Sequence, residues 1–344
     1  MDQFSFKINR LGPSQRHFTG TRRYARWPMY LIWGPNFPQT LCIRAGKLAG
    51  TTSCIVAWSQ KDYYSFRRQV CRRNGYVSTV SSMFPLTPAL GASDRAAKVG
   101  FRFGAKGTHT SRTMMLEEFS AVLLEAPEGA SREDYAAAIV VRNCLGKPTT
   151  ATRRLTNQRL GELYGLDPRV PLFRVLRRLW SIDVLGRPLL ALQCAVARDP
   201  LLAATVAPVL SLTPGSDLQR DTLRTALRDA VDDRLSDATL EKVIRNVASS
   251  WEQAGHLVGR TFKKRAAVRA TPGSVAFALY LGHAVGFRGA ALFATGWIAL
   301  LDCPPARARE LAIEAKRIGL IDLRIAGDVV DLVLDRLDPA EGWS

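Results

Sequence analysis

Acidic residues are scarce in the first part of this 344-residue chain, where the first glutamate is Glu117. Only three carboxylates precede Val99, against fifteen lysines and arginines, so residues 1–98 carry +12 of the net charge of +18. These carboxylates are Asp2, Asp62 and Asp94. Because each cation set against a phosphate releases a condensed counterion, this balance favours partners that carry phosphate.

Residues 1–98 are also poor in leucine and show no sustained helical or strand period, so they are predicted to be a basic, poorly structured extension. Three interpretations stay open: a start codon assigned too early in a GC-rich genome, a flexible basic arm, or a small domain. In the first interpretation Val99 corresponds to a GTG start codon, and the protein that begins there has a net charge of only about +6.

Several kinds of chemical site lack their sequence signatures. The chain has no Cys-x-x-Cys, no Gly-Lys-Ser/Thr ending of a nucleotide loop, no Gly-x-Ser-x-Gly and no carboxylates paired in a loop. The four histidines have no metal-ligand spacing, and the six cysteines suggest neither a zinc site nor a disulfide framework. We therefore expect no catalytic residues, no metal and no cofactor.

Apolar runs long enough to cross a bilayer are missing as well. The runs at residues 189–212 and 275–301 are interrupted by charged residues, which leaves pieces shorter than the roughly 18–20 residues that a span requires. The first ten residues have no apolar core of the kind that a secretion signal needs. The sequence thus predicts buried core helices and a cytoplasmic protein without membrane insertion.

From residue 99 onward, apolar residues recur at helical spacing. This pattern predicts a mainly α, multi-helix protein with winged helix-turn-helix units and small β-hairpins. Residues 99–235 are expected to form a helical domain with a helix-turn-helix-like pair. Residues 236–344 are expected to form a winged-helix and C-terminal helix-hairpin domain, whose last hairpin is acidic and better suited to a structural or protein-contact role.

The clearest functional pattern lies at residues 236–272. A helix predicted over 239–254 has one apolar stripe and an opposite face of side chains that bind base edges and phosphates, and a basic hairpin follows it. An ordinary solvated helix face is the alternative interpretation. The candidate contacts are Lys242, Arg245, Asn246 and Ser249 on the helix, and Arg260, Lys263, Lys264, Arg265 and Arg269 in the hairpin.

A second candidate is a pair of helices predicted at residues 134–145 and 149–164, joined by a short break as in a helix-turn-helix. The second of them starts with hydroxyls and arginines that suit phosphate. Its candidate contacts are Lys147, Thr149, Thr150, Arg153, Arg154 and Arg159. The polar lead at residues 106–112 is interpreted as either a phosphate-binding loop or a docking peptide.

The segment at residues 135–164, YAAAIVVRNCLGKPTTATRRLTNQRLGELY, resembles the BrxA family of bacteriophage-exclusion (BREX) defence systems. Residues 240–260 and 263–271 are similar to the winged part of that family. The resemblance implies an all-helical bacterial protein that binds DNA without known catalysis and is encoded beside other components of an antiviral locus. The matching residues are Lys147, Thr149, Thr150, Arg153, Arg154 and Arg159.

These patterns together predict a non-catalytic protein that binds double-stranded DNA within a bacterial antiviral defence system, with other proteins of that system as further partners. An RNA-binding protein and a protein-protein adaptor of the same complex are the alternatives. Residues 100–344 lack clustered aromatics of the kind that stack on unpaired bases, which argues against single-strand recognition. Neither the target sequence nor the oligomeric state follows from these patterns.

Overall fold

The computed structural model describes five short strands within residues 6–58 and residues 84–340 except 105, 232, 233 and 328. The chain divides into two compact units, Met1–Ser78 and Thr79–Ser344. The mainly α class predicted from the sequence is confirmed in the second unit. The first unit, in the part predicted to be a basic, poorly structured extension, contains five short strands.

The first unit contains two small antiparallel sheets. One pairs β1 with β2, and the other has the order β3-β4-β5. These strands fall on short runs of β-branched and aromatic residues, which favour extended backbone but are too brief to establish a period in the sequence. The strands are β1 (Phe6–Ile8), β2 (Arg16–Phe18), β3 (Met29–Ile32), β4 (Leu41–Ala45) and β5 (Ile55–Trp58).

The second unit is built from helices with two short antiparallel strand pairs, β6-β7 and β8-β9. Its helices are α1 (Asp94–Val99), α2 (Leu116–Glu125), α3 (Arg132–Val140), α4 (Thr150–Tyr164), α5 (Pro171–Ile182), α6 (Arg187–Arg198), α7 (Pro200–Ala203), α8 (Val206–Leu210), α9 (Arg220–Val231), α10 (Asp237–Gln253), α11 (Pro272–Val285), α12 (Gly296–Ala299) and α13 (Pro305–Arg317). Its strands are β6 (Leu257–Val258), β7 (Lys264–Arg265), β8 (Asp322–Ala326) and β9 (Val329–Val333), and 3-10 turns lie at Thr108–Thr110 and Gly289–Ala294.

Helix α11 is the centre of this unit. Apart from its first proline, all of its residues are buried, as expected for a helix that is apolar all round, and it packs against α1, α5, α6, α12 and α13. A capping box between Thr271 and Ser274 starts it, and Gly286 in the left-handed conformation ends it. The apolar run at residues 275–301, predicted to form core helices, does form core, but its second half is a 3-10 turn followed by the short α12.

Residues 84–99 belong to the helical unit, so the predicted boundary at residue 98 is corrected. Ser93 donates from its backbone N–H to Val285 O at 3.0 Å and from its hydroxyl to Ala284 O at 2.7 Å. The Trp297 indole N–H donates to Leu86 O at 2.9 Å. Because α1 holds only two buried apolar residues, its sequence offers too short a pattern to be recognised.

The predicted division at residue 235 is also replaced by one compact unit. Asp183, in the α5–α6 connection, accepts from the Ser274 N–H at 3.1 Å and so helps to cap α11. Arg174 on α5 forms an ion pair with the buried Asp338 at 2.8 Å. Contacts of this kind, between residues far apart in the chain, join the two halves that sequence composition separates.

Within the described residues, no single helix is both long and apolar enough to cross a membrane. The pair Arg187–Arg198 and Pro200–Leu210 meets the length and composition requirement only when taken together, and it is bent by 106°.

His256 links the end of α10 to the end of α12 and makes stability depend on pH. It is fully buried, and its Nε2 donates to Leu300 O at 2.8 Å. Burial lowers the pKa of His256 to about 4, with the Arg265 charge adding to the effect and Asp302 and the Leu300 carbonyl opposing it. The unfolded chain therefore binds more protons than the folded chain between about pH 4 and about pH 6.5.

We expect the free energy of unfolding to fall as the pH is lowered through this window, by at most about 1.4 kcal/mol per unit for His256. His256→Gln keeps a donor for Leu300 O and removes the titration, so urea denaturation of this variant at pH 7, 6 and 5 should give a shallower slope than that of the wild type. Equal slopes would contradict the assignment. His283, whose pKa burial also lowers to about 4, contributes equally in both proteins.

Candidate nucleic-acid interface

Helix α10 forms as its pattern predicts, with a slightly earlier start. Ser236 caps its N-terminus by accepting from the Thr239 N–H at 3.4 Å. Its apolar stripe, which includes Leu240, Val243, Val247 and Trp251, is buried. Trp251 also donates its indole N–H to the Thr205 hydroxyl at 2.8 Å, which fixes α10 against the α7–α8 junction.

A short hairpin follows α10, with Leu257 opposite Arg265 and Val258 opposite Lys264. The turn requires Gly259, because a Cβ there would lie 2.2 Å from the Phe262 carbonyl oxygen and the backbone has a φ of 108°. The segment just before α9 pairs with the outer edge of β7. Leu218 N donates to Lys263 O at 2.8 Å, and Arg265 N donates to Ser216 O at 2.9 Å.

The predicted polar face of α10 is only partly accessible. Lys242 and Arg245 are exposed and Ser249 is half-buried. Asn246, predicted as a base contact, is half-buried, and its amide Nδ2 donates to His109 O at 2.8 Å. The segment at residues 108–116 covers this side of the helix.

One turn further along α10, Ser250 and Gln253 bind the same covering segment. The Met114 N–H donates to the Ser250 hydroxyl at 2.8 Å, and the Leu116 N–H donates to the Gln253 side chain at 3.1 Å. Polar side chains at helical spacing thus serve the interior rather than a ligand.

The basic residues of the hairpin also divide into two groups. Arg260, Lys264 and Arg269 are exposed. Lys263 forms an ion pair with Glu252 at 2.5 Å and keeps only 16% of its side chain accessible. Arg265 is corrected as well, because its guanidinium is buried and binds Asp302 and the carbonyls of His256 and Ala266.

In the second candidate, the break between α3 and α4 is formed by Asn143, which has a φ of 55° and accepts from the Lys147 N–H at 2.8 Å. Helix α3 therefore ends at Val140 instead of the predicted residue 145. Thr149 caps α4 by accepting from the Thr152 N–H at 3.1 Å, and the cap is exposed together with Thr150.

The cations of this second candidate are mostly engaged. Lys147 pairs with Glu118 at 3.2 Å, Arg159 pairs with Glu162 at 2.8 Å, and the Arg153 Nε donates to Lys147 O at 3.0 Å. Arg154 is exposed and has no side-chain partner among the described residues. The structure therefore leaves Thr149, Thr150 and Arg154 as its accessible contacts.

A buried cluster that no sequence pattern indicated fixes the segment at residues 108–116. The His109 Nδ1 lies 2.7 Å from Asp199 Oδ2, and its Nε2 lies 2.8 Å from the Ser250 hydroxyl. The Ser250 hydroxyl also accepts from the Met114 N–H and donates to Asn246 O at 2.9 Å. The Ser250 hydroxyl therefore contacts the His109 ring, the segment at residues 108–116 and its own helix at the same time.

This serine-histidine-aspartate arrangement, which we call the clasp, resembles a hydrolytic triad only in its pairing. His109 and Ser250 are 0% exposed and Asp199 is 1% exposed. The Ser250 oxygen is fully engaged by its three partners and no substrate carbonyl can reach it. The clasp therefore joins the 3-10 turn, the start of α7 and α10.

The ion pair in the clasp keeps Asp199 charged. Burial by itself raises the pKa of Asp199, but the His109 charge, the His109 ring and backbone N–H groups and the Leu202 N–H together lower it below its ordinary value. The stabilisation from this carboxylate is therefore present above about pH 4 and is lost as the pH falls through the folded-state pKa.

A cavity of about 430 Å³ opens beside the 3-10 turn, between α4 and the chain that enters α10. Its charged lining residues are Arg102, Lys106, Arg159, Arg234 and Glu162. Burial raises the pKa of Glu162, but the hydrogen bonds from Arg159, Gln158 and Thr108 outweigh it and hold that pKa below its ordinary value. Glu162 is thus a carboxylate at neutral pH.

The residues that the structure describes contain no group of three or more His, Cys, Asp and Glu side chains positioned to hold a metal ion. Cys194 is a buried thiol, and burial raises its pKa to about 12. Comparison of the chain with protein-family models, with curated proteins and with solved structures finds no match.

Replacing Asp199 by asparagine should lower the free energy of unfolding by about 1–3 kcal/mol, because both carboxylate oxygens accept from buried donors and the amide nitrogen of asparagine cannot accept in place of one of them. Ser249→Ala, on the same helix but outside the clasp, should change it by less than about 0.5 kcal/mol. Chemical denaturation at pH 7 measures both values. Equal stability of Asp199→Asn and wild type would show that the clasp does not hold the fold together.

Proposed function

We propose that this chain binds double-stranded DNA without catalysis and that α10 and the β6-β7 hairpin form the contact surface. The order of elements along the chain supports this proposal. A helical segment (α7 and α8) is followed by an extended piece that pairs with β7, then by two helices (α9 and α10), and then by a hairpin. Winged helix-turn-helix proteins have the same order, and their second helix of the pair enters the major groove.

The observation that carries the proposal is the ion pair between Lys263 and Glu252 at 2.5 Å. Successive spacings of three, four and three residues separate Lys242, Arg245, Ser249 and Glu252 along α10. These four side chains therefore share one helix face. The ion pair therefore fixes the hairpin at the end of the face on which the exposed cations lie. A duplex that contacts this face of α10 also reaches the hairpin.

Accessible positive charge favours phosphate contacts on this surface. Lys242, Arg245, Arg260, Lys264 and Arg269 form no ion pair within the part of the chain that the structure describes. We assign Lys264 and Arg260 to backbone phosphates, Arg245 to a guanine or a phosphate, and Ser249 to a phosphate. Thr149, Thr150 and Arg154 at the start of α4 form a second contact with the backbone.

The biological setting of the proposal rests on the resemblance of residues 135–164 to the BrxA family. We propose a role in a bacterial antiviral defence system of the BREX type, in the cytoplasm and together with other proteins of that system. RNA binding and an adaptor function are the alternatives, and the DNA-binding experiment distinguishes them from the proposed function.

The double variant Arg260→Ala/Lys264→Ala tests the hairpin. We expect weaker binding to every duplex sequence and a salt slope that is smaller by about two, because two phosphate contacts are lost. Fluorescence anisotropy over a range of salt concentrations measures both quantities. Arg317→Ala/Arg324→Ala, which removes two exposed arginines elsewhere, is the charge-matched control and should keep the wild-type slope.

Identical affinity and slope in the hairpin variant and the wild type would overturn the assignment of the hairpin. Competition between the labelled duplex and a structured RNA of equal length then separates the nucleic-acid classes. Preference for the RNA would favour the RNA-binding alternative, and the absence of binding to either would favour an adaptor.

Arg245 lies on the accessible face of α10, whereas Asn246 lies on the side that residues 108–116 cover. Arg245→Ala should weaken binding and reduce preference for guanine-containing sites, by about 1–3 kcal/mol for a bidentate contact. Asn246→Ala should instead leave sequence preference unchanged and lower the stability of the fold, because its amide binds His109 O. A change of sequence preference in Asn246→Ala would contradict this assignment.

A further inference from the structure

We propose that the cavity beside the 3-10 turn is a binding site for a phosphate group. It has a volume of about 430 Å³ and lies between the C-terminal half of α4, the segment at residues 102–110 and the chain that leads into α10. It is separate from the exposed faces of α10 and the β6-β7 hairpin, and the proposal does not depend on their binding DNA.

The charges that line the cavity leave an excess of positive charge. Arg102, Lys106, Arg159 and Arg234 face a single carboxylate, Glu162, among the described lining residues. Asp232 and Asp233, which directly precede Arg234 in the sequence, lie outside the described residues, and counting both of them with Glu162 still leaves four cations against three carboxylates. Four cations gathered around one concave space repel one another, and a bound anion relieves this repulsion.

Glu162, the one carboxylate among the described lining residues, already accepts three hydrogen bonds. Glu162 accepts hydrogen bonds from the Thr108 hydroxyl at 2.9 Å, from Gln158 at 2.9 Å and from Arg159 at 2.8 Å. It therefore neutralises Arg159 and positions it, and it has little capacity to bind the remaining cations. Arg102, Lys106 and Arg234 are available to a ligand.

Within the described residues, one hydrogen bond orients each of Arg102 and Arg234 and leaves other N–H groups of the guanidinium for a ligand. The Arg102 Nη1 donates to Glu162 O at 3.2 Å, and the Arg234 Nε donates to Val231 O at 2.9 Å. The Arg159 Nε is buried and has no hydrogen-bond partner within the described chain. Guanidinium groups held in this way form paired, charge-assisted hydrogen bonds to the oxygens of a phosphate.

The wall of the cavity is itself rigid, which favours a defined site. A Cβ on Gly107 would lie 2.1 Å from Asp199 Oδ1, so the loop packs directly on the clasp. Thr108 and His109 are consecutive, and the first contacts Glu162 while the second binds Asp199. The clasp therefore holds the cavity wall in place without contacting a ligand. Preorganisation of this kind lowers the entropy cost of binding.

The phosphate has two possible sources with the same chemistry: a free phosphate compound, or the backbone of a bound nucleic acid. Arg234 lies two residues before Ser236, the N-cap of α10. A duplex on that helix therefore brings a backbone phosphate to the cavity only if it extends past the start of the helix. The experiment below separates the two sources.

Isothermal titration calorimetry tests whether a free phosphate compound binds. The ligands are inorganic phosphate, a 5′-phosphorylated mononucleotide and the corresponding nucleoside as the unphosphorylated comparison, all at constant ionic strength in chloride. We expect binding of the phosphorylated compounds only, weakened about tenfold or more in Arg102→Ala/Arg234→Ala. Lys106→Ala gives a second, single-charge variant. Arg317→Ala/Arg324→Ala is the charge-matched control and should bind as the wild type does. Thermal denaturation confirms that each variant is folded.

If no free phosphate compound binds, the backbone source is tested by duplex DNA. A salt slope smaller by about two in Arg102→Ala/Arg234→Ala than in the control variant would assign the site to a backbone phosphate. Absence of both effects would overturn the proposal. Failure of the hairpin variant to alter DNA binding would overturn the hairpin assignment and leave the titration result standing, so the two proposals fail separately.

Discussion

The buried contact between His109 and Asp199 determines which surfaces of the second unit are free. Removing a carboxylate and its polar partner from water is costly, and such a contact is retained only where further hydrogen bonds satisfy it. Here the Ser250 hydroxyl, the Met114 N–H and the Asn246 carbonyl complete the network. As a result the segment at residues 108–116 covers one side of α10, and the adjacent face with Lys242 and Arg245 is left to solvent.

Arginine has two roles in this fold, and only one of them concerns ligands. Arg198 donates to the carbonyls of Gly100, Gly161 and Glu162, and Arg265 binds Asp302 and two carbonyls. These groups satisfy buried acceptors at element ends, a task for which the branched guanidinium is well suited. Net charge therefore overstates the positive surface that is available to phosphate. Which arginines can bind a phosphate depends on the accessibility of each side chain.

Local patterns in the sequence predicted the helices well and their surroundings poorly. The apolar stripe of α10 and the hairpin after it follow from spacing within about 30 residues. The burial of Arg265 depends on Asp302 and the covering of Asn246 depends on His109, which lie 37 and 137 positions away. Helix α1 was missed for a related reason, since its attachment to α11 joins Ser93 to Ala284. No periodicity encodes such partners.

The covered side of α10 has a consequence for how the chain recognises a duplex under the proposed function. Asn246 and Gln253, the amides suited to adenine, both bind the segment at residues 108–116. The accessible face retains Lys242, Arg245 and Ser249, which suit guanine and phosphate. Backbone contacts therefore outnumber base contacts on this surface, and binding of that kind depends steeply on salt and discriminates weakly between sequences.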